Sequence, residues 1–348
     1  MLEPLLRLPT PPSLEEVEAH IPRVHPVAKG VQRPRWSVMI PTYNDRDLLA
    51  RTLESVLSQA PEPEVMQIEV VDAASTTGDP KRVVDEVGRG RVAFHRLASN
   101  RGPAHSFNAC IERAIGYWVH ILHDDDTVMP GFYEAYDSVI RRCPDARTVV
   151  GQVVYVDESD RWTAVSGVIP PPGGGIVPDF TERMISRQLA QFPGVVVHRD
   201  AYEAVGGYCT LFHHVIDWDM WFRLSRFAPV ACVDRPYARY RVHKDSDTSR
   251  RVVSGANMQE TYSMIRLNLA RLGSPASPTE ELAWRSHWAA KCQSMAWLLH
   301  SRGNAIGEYN QLRWALMLEP TASRWLAFAK AWLKERVLGR RSQPELAK

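Results

Sequence analysis

Three carboxylates in a row, Asp124-Asp125-Asp126, close an apolar run over residues 117–122. Adjacent like charges repel unless a cation or hydrogen-bond donors compensate them, and hard oxygen ligands suit Mg²⁺ or Mn²⁺ bridging to a substrate's phosphates. The same triplet also reads as an acidic turn ahead of Pro130 and Gly131. A second group, His214-Val215-Ile216-Asp217-Trp218-Asp219-Met220-Trp221-Phe222-Arg223, puts Asp217 and Asp219 at the start of an amphipathic helix whose Trp221 and Leu224 face inward. Asp217 is there either an N-cap or, facing a cleft, a general base for a hydroxyl. The third group is Tyr240-Arg241-Val242-His243-Lys244-Asp245-Ser246. A lone histidine after a strand is a surface or capping residue unless it reaches the cleft of Asp125.

No GxSxG, HExxH or Walker A motif is present, and the early glycines form no GxGxxG after the first strand. Hydrolase, P-loop and dinucleotide chemistry are therefore unsupported.

The elements that must carry these groups are legible from periodicity. Trp36-Ser37-Val38-Met39-Ile40 is a short apolar run that stops at Pro41, as a buried strand would. Residues 45–59 set Leu49, Leu53, Val56 and Leu57 on one helical face, with Asp45 and Asp47 near the start, where carboxylates suit the macrodipole. Strands are expected over 68–72, 92–95 and 117–122, with a helix over 104–115 between the last two. Strands alternating with helices imply a parallel sheet whose ligands bind at the carboxyl ends. Pro41-Thr42-Tyr43-Asn44, the loop from Asp72 and the triplet all fall at such ends.

Beyond residue 150 a hairpin is expected from 153–156 and 164–169, around Asp157-Glu158-Ser159-Asp160. Pro170-Pro171-Pro172-Gly173-Gly174-Gly175 reads as a mobile surface loop, 194–197 as a strand and 199–205 as a helix ending at Gly206-Gly207. Residues 1–35 form a Pro-rich arm, and after about 251 the pattern is helical.

The chain has 348 residues, 45% of them apolar and 24% charged, an ordinary globular composition. A net charge of +2 excludes a nucleic-acid binder that relies on overall charge. No uncharged apolar run reaches the ~18 residues a membrane span needs, and no signal peptide opens the chain. Five dispersed cysteines without CxxC pairs argue for a reducing, cytoplasmic compartment. The balance is uneven: residues 251–348 carry 14 Lys/Arg against 7 Asp/Glu, and six of the eleven Trp.

Taken in order, the segments Ser37-Val38-Met39-Ile40-Pro41-Thr42-Tyr43-Asn44, Val70-Val71-Asp72-Ala73-Ala74-Ser75-Thr76, Asn100-Arg101-Gly102, Ile121-Leu122-His123-Asp124-Asp125-Asp126, Gly206-Gly207-Tyr208, Asp217-Trp218-Asp219-Met220-Trp221 and Tyr240-Arg241-Val242-His243 closely resemble the family 2 glycosyltransferases. The resemblance covers about 36–250. It implies an α/β fold of the GT-A class, a Rossmann-like mixed sheet flanked by helices, divided into a nucleotide-sugar half (36–130) and an acceptor half (131–250). A C-terminal helical region, 251–348, follows.

The resemblance further implies an inverting transfer of sugar from a UDP-, dTDP- or GDP-sugar to a hydroxyl of a cell-surface glycan or lipid-linked precursor. Pro41, Tyr43, Asp72, Asn100, Asp124 and Asp125 would form the nucleotide-sugar site, with Tyr43 stacking on the base and Asp124 at the ribose. Asp125 would hold Mn²⁺ or Mg²⁺ on the diphosphate, with His243 as a further metal contact. Asp217 would be the catalytic base, and Trp218 and Asp219 would shape the acceptor side. Two positions depart from the family. Ala73 stands where a second acid commonly recognises the base, and His123 stands where many members begin an Asp-x-Asp-Asp motif. A nucleotidyltransferase-like enzyme and a catalytically silent glycan-binding protein are the alternatives.

Residues 322–341 hold Arg324, Lys330, Lys334, Arg336, Arg340 and Arg341 against Glu335, and a helical wheel puts Trp325, Phe328, Ala329, Trp332 and Leu333 on one face. Such a helix either packs on the body or lies peripherally on the inner face of the cell membrane.

Overall fold

The computed structural model describes residues 6–44, 48–166, 170–243, 247–273 and 275–339. Asp45, Arg46 and Asp47, the end of the expected hairpin at 167–169, Lys244-Asp245-Ser246, Arg340 and Arg341 lie outside them, as do the side chains of Glu335 and Arg336. The chain divides into two compact units, Glu15–His243 and Lys244–Lys348 together with Met1–Leu14.

In the larger unit, α1 (Leu14–Ala19) precedes β1 (Trp36–Thr42), α2 (Leu48–Leu57), β2 (Met66–Asp72), α3 (Pro80–Gly88), β3 (Ala93–Arg96), α4 (Pro103–Arg113) and β4 (Trp118–Ile121). Next come β5 (Thr127–Val128), α5 (Phe132–Arg142), β6 (Thr148–Val150), β7 (Val153–Val156), β8 (Trp162–Val165), β9 (Gly175–Ile176) and α6 (Phe180–Met184). β10 (Val195–His198), α7 (Arg199–Val205), α8 (Ile216–Phe227), β11 (Val230–Cys232) and β12 (Ala238–Arg241) complete it.

The main sheet runs β3-β2-β1-β4-β10-β6-β11-β9, and a smaller one runs β5-β12-β7-β8. β3, β2, β1 and β4 are parallel, as the strand–helix alternation implies. β10 then lies antiparallel to both β4 and β6, so the sheet is mixed rather than uniformly parallel. The chain reaches β10 through the small sheet and α6 instead of through one crossover helix, and nothing constrains it to return parallel. All seven residues of β1 are buried, the continuous apolar reading of a strand covered on both faces.

β1 extends two residues past Ile40, through Pro41. Pairing with β4 ends at Met39↔Ile121, so Pro41 lies where only β2 still flanks the strand. A missing N–H is tolerated at such a place. The Pro-Gly run at 170–175 is not a loose loop. Gly175 pairs with Cys232 in the main sheet, and Arg142 donates to the Gly173 carbonyl at 2.9 Å. Gly174 has φ +75°, and a Cβ there would sit 2.7 Å from the Cys232 carbonyl, so the turn requires glycine.

The arm from residue 15 onward is packed onto this unit. Val17 and Val24 are buried, the Gly207 N–H donates to the Pro22 carbonyl at 2.8 Å, and the buried Arg199 guanidinium reaches the His25 carbonyl at 3.0 Å.

The second unit is helical: α9 (Asp247–Ser254), α10 (Ala256–Arg271), α11 (Pro278–Ser301), α12 (Ala305–Leu318) and α13 (Ala322–Gly339). Ser277 and Glu280 form a reciprocal capping box that starts α11. Trp284, Cys292 and Leu299 are buried along it, while Ala296, Leu312 and Ala331 join α11, α12 and α13 in one cluster. α13 turns Phe328 and Ala331 inward, Phe328 lying 5.5 Å from Tyr309. The single apolar face expected for this helix is therefore split: Phe328 is buried, whereas Trp325 and Leu333 are exposed together with Leu326. Among the described residues no helix is long and apolar enough to cross a membrane.

Candidate active site

Because β1, β2 and β4 are parallel and in register, their carboxyl ends open on the same edge of the sheet. The loops that follow are tied together. Asn44, at φ +60°, accepts from the Thr76 and Thr77 N–H groups at 2.8 and 3.1 Å, and its own N–H donates to Ser75 Oγ at 2.8 Å. Asp72 is fully buried. One carboxylate oxygen accepts from the Ser75 N–H and hydroxyl, and the other accepts from Arg96 Nε at 2.5 Å. Tyr43, the residue after β1, is 45% exposed, Ala73 is buried, and Asn100 is exposed with its side-chain oxygen on the Gly102 N–H at 2.9 Å.

The acidic triplet follows β4 as a turn braced from two directions. From α2, the buried Thr52 hydroxyl lies 2.9 Å from the Asp124 carbonyl and 2.7 Å from the Asp126 carbonyl. From the small sheet, β12 pairs antiparallel with β5, placing Arg239 opposite Thr127. Continuing that register brings residues 241 and 243, two apart and so on one side of the strand, back over the triplet. The Arg241 N–H donates to the Asp126 carboxylate at 2.9 Å, its Nε reaches the Asp125 carbonyl at 3.2 Å, and its guanidinium pairs with Asp160. Two residues on, a ring nitrogen of His243 lies 3.2 Å from Asp125 Oδ2. The lone histidine does reach Asp125 itself.

His123, Asp125 and Asp126 each present one ligand atom, all within 4.8 Å of one another. Asp126 Oδ2 and His123 Nε2 are buried with no hydrogen-bond partner. Burial, reinforced by the charge of Asp125, holds the Asp126 carboxyl well above the ordinary range, and burial pushes the His123 imidazole down. Buried carboxylate and imidazole groups left without partners fit a divalent cation.

Asp217 lies in the first turn of α8, where Val215 and not Asp217 occupies the N-cap position. Its carboxylate accepts from the Trp218 N–H at 2.8 Å and from the Gln188 amide. Burial pushes it up to about 7, against the opposing pull of these hydrogen bonds. Tyr155 and Tyr240 pack edge to face with centroids 5.4 Å apart. Tyr155 feels the charges of both Asp217 and Asp126, and Tyr240 those of Asp126, Asp125 and Asp217. Asp217 and the triplet carboxylates thus both lie near this tyrosine pair.

Trp218 and Asp219, expected on the acceptor side, are both in the interior behind Asp217. Trp218 is 2% exposed and donates to the Met184 carbonyl at 2.7 Å. Asp219 is fully buried and pairs with Arg223, which holds the Val205 and Gly207 carbonyls at 2.8 Å. Helical periodicity turns Asp219 away from the side that Asp217 presents. Pro41 lies inside β1, and Asp124 is half-buried over α2. Four contributors escape sequence reasoning: Thr52, Arg96, Gln188 and Arg241. Arg96 ends a strand on the same edge and Arg241 belongs to a quoted segment, so both carry a positional signal. Gln188 carries none.

A family model described as glycosyl transferase family 2 matches residues 37–217, just over half of the chain. The succinoglycan biosynthesis protein ExoO of Rhizobium meliloti is 32% identical over 127 residues, 36% of this chain and 34% of that protein. The chain thus spans about a third of that relative's length. An uncharacterised protein of Mycobacterium tuberculosis, MT1568, is 24% identical over 292 residues, 78% of this chain and 87% of its own. Among solved structures, residues 1–349 of S. aureus TarS in complex with UDP-GlcNAc superpose with a TM-score of 0.59 at 15% identity, over 89% of this chain and 93% of that one. That likeness establishes the shared fold.

Proposed function

The chain belongs to glycosyl transferase family 2, and from that premise we propose that it transfers a sugar from a nucleoside-diphosphate sugar to a hydroxyl of a cell-surface glycan or its lipid-linked precursor, with inversion at the sugar carbon. The observation that carries this reading is Asp217, a carboxyl pushed up to about 7, held by the Gln188 amide and near the same tyrosine pair as the acidic triplet. A base with that affinity accepts a hydroxyl proton at neutral pH more readily than an ordinary carboxylate does. Asp217 takes the acceptor proton as the acceptor oxygen attacks, and the diphosphate leaves from the opposite face of the sugar.

Asp125 and His243 would hold a divalent cation, Mn²⁺ or Mg²⁺, which when bound neutralises charge on the departing diphosphate. Tyr43, Pro41, Asn100 and the Asp72–Arg96 pair receive the base, and Asp124 the ribose. The S. aureus TarS complex with UDP-GlcNAc supports a uridine donor ahead of dTDP or GDP, and the name of the ExoO relative supports a polysaccharide acceptor. Five cysteines that form no disulfide support a cytoplasmic site of action.

The test is release of free nucleoside diphosphate from a panel of UDP-, dTDP- and GDP-sugars with Mn²⁺ and a glycan acceptor pool. Turnover that Asp217→Asn abolishes while donor binding persists is the expected result. Turnover near the parent rate in that variant removes Asp217 from the mechanism, and no turnover with any donor favours a silent binding protein.

A further inference from the structure

We propose that His123 is a nitrogen ligand of the cation site, so that the site selects Mn²⁺ and related transition ions over Mg²⁺. The inference rests on the reading that the acidic turn holds the donor's cation, and it adds which ion the site prefers and which residue decides.

Two buried polar atoms without partners share one small space. Asp126 is 1% exposed, yet its Oδ2 meets no donor, and His123 Nε2 meets neither donor nor acceptor. Both residues, with Asp125, present ligand atoms within 4.8 Å of each other. An acidic cluster alone asks only for solvent or counter-ions. A neutral imidazole nitrogen buried among carboxylates asks for something that binds nitrogen and oxygen together.

The imidazole is also held as a ligand must be. Phe107 stacks on it with centroids 5.2 Å apart and planes 9° from parallel, and Phe192 leans on it at 4.5 Å, itself 4.8 Å from Phe107, so the three rings form one cluster. The turn is closed by the Asp126 N–H on the His123 carbonyl at 3.2 Å. A ring fixed this way has little freedom to lose on coordination, and supporting contacts of this type tune metal sites. An imidazole nitrogen beside two carboxylates, in place of a third oxygen, moves a site along the ordinary ligand preferences from Mg²⁺ toward Mn²⁺, Co²⁺ and Zn²⁺.

His243, 3.2 Å from Asp125, is a second nitrogen source, and the test must separate the two. The full chain is loaded with Mn²⁺ in the presence of UDP, and electron spin-echo modulation from ¹⁴N is recorded for the parent and for His243→Gln. Modulation that persists in His243→Gln and disappears in His123→Asp/His243→Gln is the expected result, and loss of modulation in His243→Gln alone overturns the proposal. Titration of Mn²⁺ and Mg²⁺ gives an independent measure: His123→Asp is expected to lower the Mn²⁺-to-Mg²⁺ affinity ratio at least tenfold, and an unchanged ratio overturns it. His123→Gln, measured beside it, guards against a folding defect in the aspartate variant. If the parent binds no Mn²⁺ with UDP present, the cation reading itself fails. Binding without His123 nitrogen defeats only this inference.

Discussion

The Gln188 side-chain amide donates to Asp217 Oδ2, so a group from outside its own helix favours the charged form of a carboxyl that burial pushes toward the neutral one. Burial raises Asp217 to about 7, and the Gln188 and Trp218 contacts work against that rise. Transfer needs the carboxylate, so the rate climbs with pH through about 7. Removing the amide removes a contact to the charged form, which raises the value further. Gln188→Ala is therefore expected to shift the ascending limb of kcat to higher pH, losing several-fold at pH 6.5 and much less at pH 8.5. A uniform loss across pH would mean that Gln188 does no more than shape the loop.

The same burial makes Asp217 a cost to the fold. Its folded value exceeds the unfolded 3.8, so the folded state binds the proton more tightly and stability falls as pH rises from about 4 to 7. Asp217→Asn lacks this slope, and its stability relative to the parent is expected to grow with pH by up to about 4 kcal/mol. Buried His120, pushed down to about 3 by desolvation, contributes the opposite slope in both proteins and cancels in the difference. Denaturant melts at pH 4.5 and pH 8 check this, and a difference independent of pH would remove the linkage.

Why some of this was legible and some was not follows from range. β1 and β2 announce themselves as bounded apolar runs, and their parallel pairing brings Tyr43, Asp72 and the triplet to one edge. The antiparallel return of β10 depends on tertiary packing and leaves no local mark. Asp217 and Asp219 look alike in sequence, but only the first has Gln188 before it, while the second is buried against Arg223. That partner lies 29 positions away, beyond any periodic signal. The 170–175 segment misleads for a related reason: proline and glycine mark a turn, and only Cys232 shows that the turn joins a sheet.

Arg96 is the charged partner of fully buried Asp72, and Ser75 on the other carboxylate oxygen ties that residue to Asn44. Deleting the guanidinium leaves a buried carboxylate without its cation, a change that costs about 3 kcal/mol or more where burial is complete. Arg96 is itself 48% exposed, so solvent supplies part of that compensation and about 1–2 kcal/mol is the expected loss of stability. Arg96→Ala should weaken nucleoside-diphosphate affinity at least fivefold and leave Mn²⁺ affinity unchanged, with Arg96→Lys recovering part of the loss. Calorimetric titration with UDP and with Mn²⁺ alone measures both, and intact UDP affinity would detach the pair from the donor site.

α13 packs through Phe328 and Ala331 yet leaves Trp325, Leu326 and Leu333 at 43%, 59% and 57% exposure, with Lys330 exposed among them. A helix needs only its packed side to stay folded, and three large apolar residues beside a cation match an anionic lipid surface. The excess of Lys/Arg over residues 251–348 adds long-range attraction of the same sign. The full chain is therefore expected to co-sediment with vesicles containing anionic phospholipid and not with neutral ones. Trp325→Glu/Leu326→Glu should reduce binding about tenfold, and raising salt to half-molar should weaken it in the parent. Equal partition onto neutral vesicles, or no effect of the double variant, would leave that face as ordinary protein surface.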